Sequence, residues 1–158
     1  MAMLIILMAG LVVDAELGGC GDAASQAEAL AAIEAQNAEV QAALEAGDMA
    51  RYAQVFTEDA WQVSPNSMPL EGRAAIQAHW EGLAALGEWR FALTALDVWA
   101  CQGSAIERGY GELSFQPNEA MAADMPAFTA SAHYVAHWIE AAPGEWRVRS
   151  DVAAAAPQ

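Results

Sequence analysis

The chain has 158 residues, and its 21 acidic side chains face six arginines and no lysine, a formal net charge of -15 at pH 7. So few cations cannot gather phosphates, which excludes nucleic acid as a partner and disfavours anionic membrane surfaces. The excess of acid is read as a solubilising surface and not as a cation-binding device, and 16.7 kDa fits one domain with a core of its own.

In chain order, Met1 to Val13 is apolar and ends abruptly at Asp14 and Glu16. It is shorter than the ~20 residues that span a bilayer and has the length of a signal-peptide apolar region. Leu17-Gly18-Gly19-Cys20 resembles the bacterial lipobox, whose cysteine becomes the lipidated first residue of the mature protein. Residues 1–22 are therefore expected to be a leader of signal-peptide or lipoprotein type and 23–155 the folded domain. The protein is expected to be exported, with membrane contact only through a lipid on Cys20. Cys20 and Cys101 have no zinc spacing; they are able to pair, but Cys101 falls in a predicted strand and reads more simply as a small buried hydrophobe.

From Ser25 to Glu45, Leu30, Ile33, Val40 and Leu44 recur at helical spacing among strong helix formers. Asp22 or Ser25 caps the start of this long helix and Gly47 ends it. Asp48 then caps a short helix through Phe56, with Tyr52, Val55 and Phe56 on its buried side. Ala60 to Ser64 is a short strand, halted by Pro65-Asn66-Ser67-Met68-Pro69. Gly72 opens a third helix whose Ile76, Trp80 and Leu83 share a face. From Glu88 the period falls to two, predicting strands at Trp89 to Ala100, Ser104 to Phe115, Phe128 to Ile139 and Trp146 to Ala153. Gln102-Gly103 and Ala142-Pro143-Gly144 are hairpin turns, so neighbours should be antiparallel. The connection from Gln116 to Ala127 is long enough to cover a site.

This order, together with Ala46-Gly47-Asp48, Phe56-Thr57-Glu58-Asp59-Ala60, Pro65, Glu71-Gly72-Arg73-Ala74-Ala75-Ile76, His133-Tyr134-Val135-Ala136-His137-Trp138 and Gly144-Glu145-Trp146, resembles the nuclear transport factor 2-like cone in its SnoaL-like branch. The likeness runs from Ala27 to Ala153. It implies an α+β fold, a curved antiparallel sheet wrapped around the long N-terminal helix with a conical pocket open at one end, and a homodimer. It implies no cofactor, and its members range from isomerases and dehydratases to domains without activity, so fold does not fix function. The ketosteroid isomerase version needs an aspartate base before the proline after the first strand, and a tyrosine and an acid as oxyanion donors. Ser64, Val40 and Tyr134 stand there instead, which excludes it, and the Asp-Arg-Asp relay of the epoxide hydrolases is not recognisable.

The resemblance makes the concave faces Ile106, Arg108, Tyr110 and Glu112 on one strand and Ala132, Tyr134, Ala136 and Trp138 on the next. With Gln62, Ser64, His79 and Trp80 these form the expected ligand-binding wall: aromatic area for affinity, polar groups for orientation. Trp80 and Trp138 read first as core, and Tyr134 as either core or wall. Arg108, Tyr110 and Glu112 would be a buried polar group able to orient a carbonyl or shuttle a proton, but a shift of one residue turns all three outward, and that structural reading is the plainer. His79, Glu112 and Tyr134 are the acid-base candidates. His133 and His137 lie on the opposite face, ~13 Å apart and so too distant to share a metal ion. The leading expectation is a pocket for a small amphipathic molecule. Its alternatives are an acid-base lyase, hydrolase or cyclase, and a non-catalytic oligomeric module.

Overall fold

The computed structural model describes Cys20 and residues 23–156, so the expected leader, the Asp22 cap and Leu17 to Gly19 lie outside the described residues. The elements run α1 (Ala23–Glu45), α2 (Met49–Ala53), β1 (Phe56–Val63), β2 (Leu70–Glu71), α3 (Arg73–Ala84), β3 (Gly87–Cys101), β4 (Ser104–Pro117), β5 (Phe128–Ala142) and β6 (Glu145–Ala155). One six-stranded sheet has the order β2-β1-β6-β5-β4-β3. It curves around α1 without closing.

Local chemistry sets the corners. Gly47 adopts φ 68, which ends α1 in the left-handed region open to glycine, and Asp48 accepts from the Arg51 backbone N–H at 3.0 Å to start α2. Gln102 and Gly103, at φ 49 and 74, make the tight β3–β4 turn. From β3 onward all pairings are antiparallel, but β1 pairs with β6 in parallel. The sheet is therefore mixed where an antiparallel one was expected, because the meander returns its last strand beside the first running the same way. The two-residue β2, paired to β1 through Trp61 and Gln62, is too short to show a sequence period.

α1 buries Ala29, Ile33, Asn37, Val40 and Leu44, one per turn, against the concave side. Leu30, expected on that face, is exposed, and Asn37 occupies the turn between Ile33 and Val40. The helix also bonds the free edge of β3: Gln26 donates to the Ala100 carbonyl and accepts from its N–H at 2.8 Å, and Gln41 accepts from the Leu93 N–H at 3.0 Å. Among the described residues no helix is long and apolar enough to cross a membrane.

Cys20 and Cys101 form a disulfide across a sequence separation of 81 residues. This corrects the reading of Cys101 as a plain hydrophobe, and a lipid on Cys20 and this bond exclude one another, since the sulfur cannot carry both. The bridge pins the entry to α1 onto the end of β3, beside the Gln26 bonds. Closing so long a loop removes unfolded-state entropy worth roughly 4 kcal/mol in the chain-entropy model. Paired urea melts with and without reductant, and of Cys101→Ser, should show about 2 to 4 kcal/mol lost; a loss under about 0.5 kcal/mol would show the bond does not constrain the fold.

Candidate functional site

The space between α1 and the curved sheet is a cavity of about 440 Å³, within the usual range for small-molecule pockets. Burial rises along β5 from exposed Ala130 through Tyr134 to Trp138. The mouth therefore lies toward the start of β5, beside Pro65 and Asn66, and the floor at Trp138. Most of the wall is apolar, with Phe91, Leu93, Leu113 and Ala132 on the way down and Trp80 and Trp138 deeper.

Glu107 is fully buried, at 0% exposure. Its Oε1 accepts from Asn37 Nδ2 and Tyr134 Oη, each at 2.7 Å, and its Oε2 accepts from Trp138 Nε1 at 2.9 Å. An isolated buried carboxylate is costly, and these three donors offset that cost without a countercharge. They come from α1 and β5 while the acid comes from β4, so the carboxylate ties three elements together. Gly109 lies opposite Tyr134 in the β4–β5 ladder, and a Cβ there would overlap the tyrosine ring. Glycine is what lets the ring lie over β4 and reach Glu107. Burial, then the Glu107 charge, pushes the Tyr134 hydroxyl well above its ordinary range, so it acts as a donor and not as a phenolate.

A second polar group adjoins the first. Trp80 Nε1 donates to Gln62 Oε1 at 3.1 Å, and the Gln62 amide donates to Tyr52 Oη at 3.3 Å and to Asp151 Oδ2 at 3.1 Å. Both sides of the amide are thereby fixed. Asp151 Oδ1 accepts from none of the described residues, and Asp151 lines the cavity. Its carboxyl is pushed up to about 6, first by burial and further by the Glu107 charge, against the Gln62 bond. Burial likewise raises the Tyr52 hydroxyl. Gln62, Asp151, Ala136 and Glu107 stand directly across from one another on four neighbouring strands. Among the described residues no group of three or more His, Cys, Asp or Glu is placed to hold a metal ion.

Of the expected wall, Gln62, Ser64, Trp80, Tyr134 and Trp138 line the cavity. Arg108, Tyr110 and Glu112 do not. Of the two faces open to them they take the outer one: Arg108 pairs with Asp97 and lies over the Trp99 ring, Tyr110 meets His133 edge-on at 5.5 Å, and Glu112 is exposed. The inner face of β4 is instead Ala105, Glu107, Gly109, Gly111 and Leu113, whose acid and two glycines read as a solvated face. His79 is exposed on α3, touching Trp80 ring to ring at 6.0 Å and lining no part of the cavity, because it lies one residue before the buried position. The connection between β4 and β5 does not line the cavity either. His133 and His137 are on the outer face as expected, His137 bonding Ser104 at 3.0 Å.

Glu107 and Asp151 were missed for separate reasons. A glutamate inside a strand gives no sign of its burial, although Asn37 in the apolar stripe of α1 pointed to a polar partner across the core. In β6 the ladder skips Arg149 between the pairs Trp138–Val148 and His137–Ser150. That irregularity reverses the alternation begun by Trp146 and Val148, and turns Asp151 and Ala153 inward.

The fold recurs widely. A function-unknown protein from Mycobacterium tuberculosis superposes with a TM-score of 0.74 at 19% identity, over 87% of this chain and 78% of its own. A ketosteroid isomerase-like protein from Erwinia carotovora gives 0.68 at 16%, over 82% and 97%. A Catenulispora acidiphila protein in complex with S-DNPA gives 0.68 at 19%, over 82% and 95%. At these identities the likeness is one of fold. No curated protein matches the sequence. The sequence pattern of the SnoaL-like domain, however, matches residues 38–156, a span that holds the end of α1 and every element from α2 to β6, and the chain belongs to the SnoaL-like domain family.

Proposed function

We propose that the protein binds a small amphipathic molecule in this cavity. The observation that carries the reading is the distribution of polarity: an apolar, aromatic shaft leads to one inward row of hydrogen-bonding groups at its floor. Apolar area supplies affinity there, and Asp151 and Gln62 fix orientation. That the Catenulispora acidiphila protein holds a small molecule supports the reading. Calorimetric titration with 1-naphthalenemethanol, a neutral aromatic probe, should show one saturable site. Gly111→Leu, which projects from β4 into the shaft, should weaken binding at least about tenfold by filling apolar volume. Equal binding by both proteins would place the probe elsewhere and count against the cavity.

Acid-base chemistry is a second reading, favoured by Asp151 alone: its free oxygen faces the cavity and its proton is held near neutrality. It takes over the part expected of His79 and Glu112. The folded-state value lies above the ordinary 3.8, so the folded chain holds this proton more tightly than the unfolded one. The resulting stabilisation is complete below about pH 4 and is lost as pH rises through about 6. Asp151→Asn should therefore flatten the pH dependence of urea stability between those limits, and exceed the parent by on the order of 2 kcal/mol at pH 7. An unchanged slope would show that Asp151 is not shifted.

Two surface features carry proposals of assembly and location. Trp99, Ile106, His137, Ser150 and Trp61 form one row across the outer face, with Trp99 55% exposed and Val135, two residues before His137 on β5, 47% exposed. This exposed apolar face fits a second copy as a homodimer. Val135→Glu should shift sedimentation from dimer to monomer, and a parent that sediments as a monomer would refute the pairing. The Cys20–Cys101 disulfide and the apolar N-terminal run support export to an oxidising compartment.

A further inference from the structure

We propose that the ligand is an organic cation: a protonated amine on an apolar body, its ammonium seated against Asp151 over Ala136, between Asp151 and Glu107. This rests on the ligand-pocket reading and specifies the charge of what the pocket takes.

The argument begins with the inward row. Glu107 and Asp151 stand two strands apart, so their Cα atoms are separated by about 10 Å, and only the methyl group of Ala136 rises between them. Neither acid has a countercharge. The partners of Glu107 are a neutral amide, a phenol and an indole, and the partner of Asp151 is an amide. Among the described residues no cation lines the cavity. Five arginines pair with Glu39, Glu45, Asp97, Glu145 and Asp59, and Arg73 donates to the Phe56 carbonyl. His79, His133 and His137 line no part of the cavity.

The wall of an apolar shaft thus carries two acids and no base. An anionic ligand would meet both charges at low dielectric. A neutral one would leave Asp151 to stay protonated or to stand uncompensated. An ammonium group supplies what is missing, and Asp151 Oδ1 is the acceptor left open for it. The faces of Tyr134, Trp138 and Trp80 can add cation–π attraction at the floor, while Phe91, Leu93 and Leu113 take the apolar body nearer the mouth. The net charge of -15 favours the approach of cations, but it is the two interior carboxylates, not the surface excess, that select one.

Three probes with one apolar body isolate the charge: 1-naphthylmethylamine, 1-naphthalenemethanol and 1-naphthoate, titrated calorimetrically into the full protein at pH 7.5 and pH 5. The titratable groups facing Asp151 are Tyr52 from α2, Glu107 from β4 and Tyr134 from β5; α1, α3 and β3 present Asn37, Trp80 and Phe91, which do not titrate. The amine should bind at least about tenfold tighter than the alcohol at pH 7.5, and the naphthoate weakest. That ratio should fall severalfold at pH 5, where Asp151 is protonated and its charge lost. Asp151→Asn should bring it to within about threefold of unity. An alcohol or naphthoate that binds as tightly as the amine, or an amine preference unmoved by both pH and Asp151→Asn, overturns the proposal and leaves the pocket reading standing. Failure of all three probes to bind overturns both.

Discussion

The buried carboxylate of Glu107 is the constraint on which the rest of the interior depends. A charge with no exposure must be surrounded by donors, and these donors cannot come from one element. Asn37 obliges α1 to lie in the cone at one rotation, since a quarter turn would remove its amide from reach. Tyr134 and Trp138, two turns of the pleat apart on the same strand face, oblige β5 to present that face inward. Gly109 follows from Tyr134, because the ring needs the space of a missing side chain. The helix rotation, the strand face and the glycine are thus answers to a single desolvated group.

That group also governs the character of the cavity. It repels a second negative charge, so it adds to the burial that raises the Asp151 carboxyl and works against the Gln62 bond that lowers it. Gln62 is pinned by Trp80 on one side and shares its amide hydrogens between Tyr52 and Asp151, which gives the floor a fixed polarity rather than a set of freely rotating groups. A site of this kind is preorganised: its dipoles are oriented before any ligand arrives, and little order has to be gained on binding.

Much of the architecture was legible in the sequence because it rests on local chemistry. Gly47-Asp48, Gly72 and Gln102-Gly103 each fix a corner through backbone rules that need no tertiary context, and the change of period at Glu88 marks the start of the sheet. The face of β5 was legible too, since Tyr134 and Trp138 alternate with smaller residues. The face of β4 was not, because Arg108, Tyr110 and Glu112 look no more solvated than Glu107, Gly109 and Gly111, and only the partners supplied by α1 and β5 distinguish them. Asp151 was hidden by a skipped residue in its own ladder, which no alternation rule anticipates. The disulfide was hidden by distance in sequence: its two halves lie 81 residues apart.

An open sheet ends in backbone groups that seek partners, and β3, the long outer strand, would ordinarily be the place where another chain could add itself. Here Gln41 and Gln26 occupy the Leu93 and Ala100 positions of that strand with side-chain amides. An amide presents the same donor and acceptor as a peptide group, so the two glutamines stand in for fragments of a seventh strand without offering an edge of their own. The helix that fills the cone therefore also guards its rim against templated self-association, a hazard to which a long exposed strand would otherwise be open.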